Sequence, residues 1–224
     1  TSVHLTNHIL DSGERPAVLS AIMKQQTTDR AREVINHAMD IQAGSSICLG
    51  ENNFLEKFYR SVPIGITVEG SNTLTRNLII FGQGLNKSHP YIYPILDSVS
   101  NNNINTFKSN FNGMACHFIK SYIKSLKPTW GKSNILEQQT VNFANLSNFV
   151  ALKGGAIKRE QFLSADMADI ISNLYFAYAI KWYHKNYNIS EILTNYCVDR
   201  LCYENQLIFN RIIDNYSGIM KLLL

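Results

Sequence analysis

Glu69 closes the apolar stretch Ile64-Gly-Ile-Thr-Val68 and is followed at once by Gly70. A lone carboxylate held between Val68 and Gly70 and flanked by Ile64 and Ile66 reads as one that could be positioned as a base, burial raising its pKa and the nearby helix N-terminus lowering it. Behind it Ser71 is a helix N-cap. Leu74, Leu78 and Phe81 fall at i, i+4 and i+7 of a helix that Gly82 and Gly84 would stop. The competing role for such a glutamate is that of dipole partner to the helix's first turn. His4 and His8, one helical turn apart, have a spacing that can share a metal. A surface or packing role is expected for them, and no metal site is assigned. A third stretch, Gln42-Ala-Gly-Ser-Ser46, is built of small residues that let a backbone approach a phosphate or another chain. Its other reading is an ordinary helix C-cap at Gly44.

The elements that must hold these residues are helices. With 45% hydrophobic and 17% charged residues, the chain of 224 reads as globular rather than disordered. A net charge of +4 with scattered lysines excludes a dense basic surface, so no nucleic-acid partner is expected. The four cysteines, Cys48, Cys116, Cys197 and Cys202, lack C-x-x-C spacing and read as reduced thiols of a cytosolic compartment. No stretch reaches the roughly 18 to 20 apolar residues of a membrane span. The chain has no signal pattern, and starting at Thr1 it reads as a piece of a longer protein.

Periodicity predicts a helix over 1–12 and one from Pro16 to about Ile41, with the polar break Lys24–Arg30 facing water or a ligand. A short helix capped by Asn52 or Asn53 ends near Tyr59, with Ser61-Val-Pro63 breaking it. Asn86–Pro90 reads as a turn, 91–98 as a short helix and Asn101–Asn103 as a polar linker. Longer helices follow at about 104–126, 133–152, 160–186 and 189–215, separated by Lys127-Pro128 and Gly154-Gly155. In the third of these, Phe162, Ala165, Ile170, Leu174, Ala177 and Ile180 give a core stripe. The aromatic run from Tyr175 to Tyr183 reads as bundle packing. The expected fold class is all-α, a helical bundle stabilised by helix–helix packing.

Val68-Glu-Gly-Ser-Asn-Thr-Leu-Thr-Arg76 resembles the Y-E-G-T-x-x-x-x-R signature of acyl-CoA dehydrogenases. The longer run from Pro63 through Gly84 to His89-Pro90-Tyr91 is similar to the bacterial long-chain branch, the fatty-acid β-oxidation enzymes. The resemblance divides the chain. Residues 1–87 match the last part of the family's C-terminal helical domain. Residues 88–224 match an extra C-terminal helical domain of the bacterial enzymes, through Leu152-Lys-Gly-Gly-Ala-Ile-Lys-Arg159 and Ile170–Tyr175. It implies an FAD-dependent oxidoreductase that converts fatty acyl-CoA to trans-2-enoyl-CoA. By its motif position Glu69 takes the α proton while the β hydrogen leaves as hydride to flavin. The Glu69 backbone N–H polarises the thioester carbonyl, and Gly70 lets the acyl chain come close. Ser71, Asn72 and Thr73 match residues that touch the flavin, and Arg76 matches the family's arginine, its other reading being a surface salt bridge.

Asp40-Ile41-Gln42-Ala43-Gly44-Ser-Ser46 matches the family's Q-x-x-G-G-x-G stretch, which receives the adenylate end of FAD from a neighbouring subunit. Here Ala43 and Ser46 replace glycines, and Asp40 replaces the leading Gln. Each added Cβ crowds a backbone meant for pyrophosphate, and Asp40 adds a like charge. The resemblance also implies flavin-holding helical and β segments that these residues do not contain, so the chain alone is expected not to catalyse. It further implies a homo-oligomer, electron-transfer flavoprotein as electron acceptor, and a place in the cytoplasm or at the inner face of the inner membrane. The alternative is a non-catalytic helical module for assembly or membrane-surface association. The altered Ala43–Ser46 loop and the apolar end Leu222-Leu-Leu224 favour it.

Overall fold

The computed structural model describes residues 1–126 and 135–216, and the described residues form helices and turns without strands. The Lys127-Pro128 separator, the start of the 133–152 helix and the Leu222–Leu224 end lie outside the described residues. The helices are α1 (Ser2–Asp11), α2 (Ala17–Gln42), α3 (Glu56–Thr67), α4 (Asn72–Leu74), α5 (Gly84–Ser88), α6 (Ile92–Ser100), α7 (Ile104–Leu126), α8 (Ile135–Ala151), α9 (Gln161–Tyr187) and α10 (Glu191–Asn215). A π-helical segment, Thr75–Gln83, joins α4 to α5, and 3-10 turns occupy Ala43–Ser46 and Gly154–Lys158.

α9 is the centre. Met167, Ala168, Ile170, Ala177 and Ala179 are each at most 1% exposed, and buried residues occur on every side of the helix. A helix apolar all round is one that must be covered all round. α10, the π segment, α1 and α8 all pack on it, and α2 packs in turn on the π segment and α1. Tyr175 of α9 shares a 2.6 Å hydrogen bond between hydroxyls with Thr6 of α1. Of the expected core stripe, Ala165, Ile170, Leu174 and Ala177 are buried and Ile180 is half-buried, but Phe162 is 92% exposed. Phe162 stands in the first turn, before α9 enters the bundle. Tyr175 and Phe176 are buried in the core, and Tyr183 stacks on Tyr187 at 4.3 Å, which is packing. His4 and His8 of α1 meet Tyr183 and Trp182 ring to ring, and no three metal-ligating side chains cluster among the described residues.

Three local expectations are corrected. Pro63 does not end its helix: α3 runs through it to Thr67. The missing N–H falls between Pro63 and Tyr59, which are both exposed, so water can satisfy the orphaned carbonyl. Asn53 marks the entry as expected, its Oδ1 accepting from the Glu56 N–H at 3.1 Å. Gly82 and Gly84 do not stop the following helix, which continues to Ser88 through the π turns. Asn101–Asn103 is no linker but the tight turn of the α6–α7 hairpin, with Asn102 at φ 50° and the Asn103 Oδ1 capping Thr106 N.

Candidate functional site

Only Val68, Glu69, Gly70 and Ser71 turn the chain between α3 and α4. So short a reversal takes left-handed backbone, with φ 56° at Glu69 and 90° at Gly70. Gly70 adopts it freely, while Glu69 carries a strain of about 1–2 kcal/mol because its Cβ crowds the next carbonyl. Lys24 of α2 holds the turn. Its ammonium donates to Gly70 O at 2.6 Å, to Asn72 Oδ1 at 2.7 Å and to Ile66 O at 3.5 Å. Those acceptors match the three donors of an ammonium, and Ile66 O is one of the orphan carbonyls at the end of α3. Asn72 Nδ2 then donates to Thr28 Oγ1 at 2.8 Å and to Asp29 Oδ1 at 2.7 Å, and Gln25 Nε2 donates to Asp29 Oδ2 at 2.6 Å.

This network corrects two expectations. The Lys24–Arg30 break in α2 does not simply face water or a ligand: Gln25 is 4% exposed and Asn72 5%, and the polar run is the socket for the turn. The Asn72 side chain is spent inside that socket, so it has no free group for a cofactor. Lys24 went unread in the sequence. Its signal was a polar cluster on an otherwise amphipathic helix, a pattern that solvent exposure also produces.

The chain does not build the apolar enclosure expected around Glu69. Glu69 is exposed, with Ile64 59% and Val68 49% exposed beside it, and it lines neither the apolar cavity beside α6 and α7 nor the smaller one beside Trp182. The reason is helical geometry: Ile64–Thr67 is the last turn of α3, so its side chains radiate rather than form one wall. Ser71 caps α4, its Oγ accepting from Leu74 N at 3.2 Å, and Thr73 is exposed one residue beyond Asn72. Arg76 is a salt-bridge partner, as its second reading had it, but a half-buried one: it forms a two-pronged ion pair with Asp169 of α9, its Nε donating at 2.8 Å. That hydrogen bonding to Asp169 raises the guanidinium's pKa further against the opposing cost of burial.

Asp40, Ile41, Gln42, Ala43 and Gly44 lie at the far end of α2. From Lys24 to Ile41 the helix advances about 25 Å at ~1.5 Å per residue, so this chain does not bring the loop and Glu69 together. Ile41, with 86% exposure, and Gly44 stand in the open, and Gln42 is half-buried. Ala43 sits at φ 53°, ψ −134°, a conformation that suits glycine. The fit to FAD is therefore divided. Ser71, Thr73 and the free N–H groups at the start of α4 suit the polar edge of a ring system. The Asp40 carboxylate and the strained Ala43 do not suit a pyrophosphate.

Two family models match the chain. "Acyl-CoA dehydrogenase, C-terminal, bacterial type" covers residues 86–224, and "Acyl-CoA dehydrogenase, C-terminal domain" covers residues 3–82. Among solved structures, the chain is similar to the acyl-CoA dehydrogenase of Bacillus anthracis crystallised in complex with FAD. The TM-score is 0.66 at 17% identity, over 92% of this chain and 35% of that one. At that identity the likeness is one of fold, and this chain spans about a third of the other protein's length. With more than half of its residues under the bacterial-type model, the chain belongs to the acyl-CoA dehydrogenase C-terminal family.

Proposed function

We propose that the chain is the C-terminal part of a flavin-dependent acyl-CoA dehydrogenase of the long-chain β-oxidation branch, which oxidises fatty acyl-CoA to trans-2-enoyl-CoA. Residues 1–87 are the end of the catalytic helical domain, and 88–224 the added helical domain. The observation that carries this reading is the Glu69–Gly70 turn. An exposed carboxylate is held on two successive left-handed residues, and the carbonyl after it is clamped by Lys24. Strain kept at one point by a dedicated network is a reason to suspect function there.

In this reading Glu69 takes the α proton of the thioester, and Gly70 leaves room for the acyl chain. Lys24 and Asn72 keep the turn from relaxing, so the carboxylate is oriented before substrate arrives. Ser71 and Thr73 would hold the flavin edge, and the Asp40–Gly44 backbone would offer a weakened seat to the adenylate end of a neighbouring subunit's FAD. FAD, when bound, supplies the two-electron acceptor for the β hydrogen. Exposed Ile64 and Val68, together with Phe58 at 57%, are the face that the remaining flavin-binding segments would cover, turning the open carboxylate into an enclosed base. Pairing of subunits, reoxidation by an electron-transfer flavoprotein and a location in the cytoplasm or at the inner membrane's inner face belong to the same proposal. The competing module for assembly or membrane-surface association draws on the same apolar face.

Glu69→Gln in the complete enzyme tests the proposal. Turnover is expected to fall by roughly 10²–10⁴-fold or more with flavin content unchanged. Near-normal turnover would remove Glu69 from the mechanism. The isolated chain, after purification, is expected to carry no stoichiometric flavin absorbance.

A further inference from the structure

A large apolar cavity lies away from Glu69. It lies between the π segment, α6, α7 and α8, with a volume of about 1040 Å³, at the top of the roughly 300–1,000 Å³ range of small-molecule pockets. Its walls are mostly hydrocarbon, among them Leu78, Ile92, Phe111, Phe118, Val150 and Ile157, with Gln83 and Asn86 among the polar residues. Apart from His89, whose ring burial disfavours charging, Lys158, itself exposed, is the only ionisable side chain on the wall among the described residues. Lys158 makes no ion pair among the described residues.

Two buried polar groups on the wall have no partner. Ser164 is 1% exposed and Asn148 5%, yet Ser164 Oγ and Asn148 Nδ2 make no hydrogen bond. The orientation of Asn148 follows from its neighbours. The Tyr91 N–H donates to His89 Nδ1 at 3.2 Å, so the proton of the neutral ring sits on Nε2. That N–H donates to Asn148 Oδ1 at 3.1 Å, which leaves Nδ2 as the spare donor. Gly82 opens the space beside Ser164, whose Oγ would stand 3.8 Å from a Cβ at that position. An unpaired buried donor costs free energy that a ligand acceptor would return. What Asn148, Ser164 and Lys158 offer together is donors and one positive charge on an apolar chamber.

We propose that this cavity binds a single-chain amphiphile with a carboxylate head, a long-chain fatty acid, at a site separate from the Glu69 turn. The alkyl chain fills the apolar chamber, and the head accepts hydrogen bonds from Asn148 Nδ2, Ser164 Oγ and Lys158. The proposal does not rest on the flavin reading, since binding needs neither Glu69 nor FAD.

The test titrates the purified 224-residue chain with cis-parinaric acid, a fluorescent fatty acid. Fluorescence is expected to rise and saturate at an equimolar ratio. Palmitate should displace the probe and dodecyltrimethylammonium should not. Ser164→Ala should weaken binding by roughly tenfold, the worth of one buried hydrogen bond. Ala115→Trp, at an exposed position on the cavity wall, should abolish it with the thermal melt unchanged, and Ile119→Trp on the same helix serves if the first variant fails to fold. Glu69→Gln should bind as the parent does, which separates this site from the proposed base. Absence of saturable binding, equal displacement by the cationic amphiphile, or undiminished binding by the folded tryptophan variant would each overturn the proposal.

Discussion

Glu69, Ala43 and Lys24 show how much rests on single backbone and side-chain choices. Glu69 and Ala43 both hold positive φ, but only Glu69 has a network beneath it. Ala43 is strained with no such clamp. Ala43→Gly is therefore expected to raise unfolding free energy by about 1 kcal/mol, the relief of strain less the added chain entropy of glycine. Urea unfolding of the two chains measures it, and an unchanged or lowered midpoint would contradict the strain. Lys24→Met removes an ammonium from three acceptors while keeping the aliphatic stem. A loss of about 2–3 kcal/mol is expected, from charged hydrogen bonds of which Asn72 Oδ1 is left buried and unmet. The thiols divide the same way. Burial pushes the Cys202 thiol up and shields it, whereas Cys48 and Cys116 are exposed. Native-state alkylation with mass mapping should label Cys48 and Cys116 and spare Cys202 until the chain unfolds.

At the scale of elements, the long helices were legible because their apolar period is regular. The 104–126 helix is α7 to the residue, and α9 and α10 start and end within a residue or two of the expected bounds. The stretch from Pro63 to Ser88 was not, because π winding changes which residues share a face. Leu74, Leu78 and Phe81 make one stripe at α-helical period, yet Leu74 is 44% exposed while Ile80 and Phe81 are buried together. Of the candidate site, the motif could be read from sequence. The clamp could not, since it joins residues 24 and 72 through a tertiary contact that leaves no local spacing. The α6–α7 hairpin carries a sharper prediction. A Cβ on Gly113 would run into the Tyr91 ring, which His89 and His117 hem in. Gly113→Ala should cost about 1–3 kcal/mol and shift the hairpin. His89 adds a pH dependence. Burial is the main cause that lowers its pKa from the ordinary 6.5, His117 adds to the lowering, and the Asn148 hydrogen bond opposes both. The unfolded chain then binds the proton first, so stability is full above pH 6.5 and falls as pH drops toward the folded pKa. Urea midpoints from about pH 7.5 to about pH 5 should show that slope, and His89→Phe should flatten part of it.

Across the whole molecule, the two regions that the family models match separately share one interior. Ile22, Met23, Ile80 and Phe81 from the first lie in the same hydrophobic cluster as Leu136, Met167, Phe209 and Ile212 from the second. Arg76 crosses the same divide to Asp169, with side-chain exposures of 35% and 23%. Part of that pair's attraction is lost to water, so its two parallel hydrogen bonds set its worth. Asp169→Asn should destabilise by about 1–2 kcal/mol, and the same change made on Arg76→Met should cost markedly less, because the guanidinium it served is gone. A clean double-mutant cycle of this kind measures coupling between the regions rather than stability within either. The shared core makes a stronger demand. Residues 1–87 alone would leave Ile80 and Phe81 without α9, and 88–224 alone would leave α9 without the helix that covers one of its flanks. Neither piece is expected to show a cooperative thermal transition, while the two mixed should regain helical signal and melt as one. Independent folding of residues 88–224 would mean that the extra region is a domain in its own right, and that the contact with the π segment is a docking surface rather than a core.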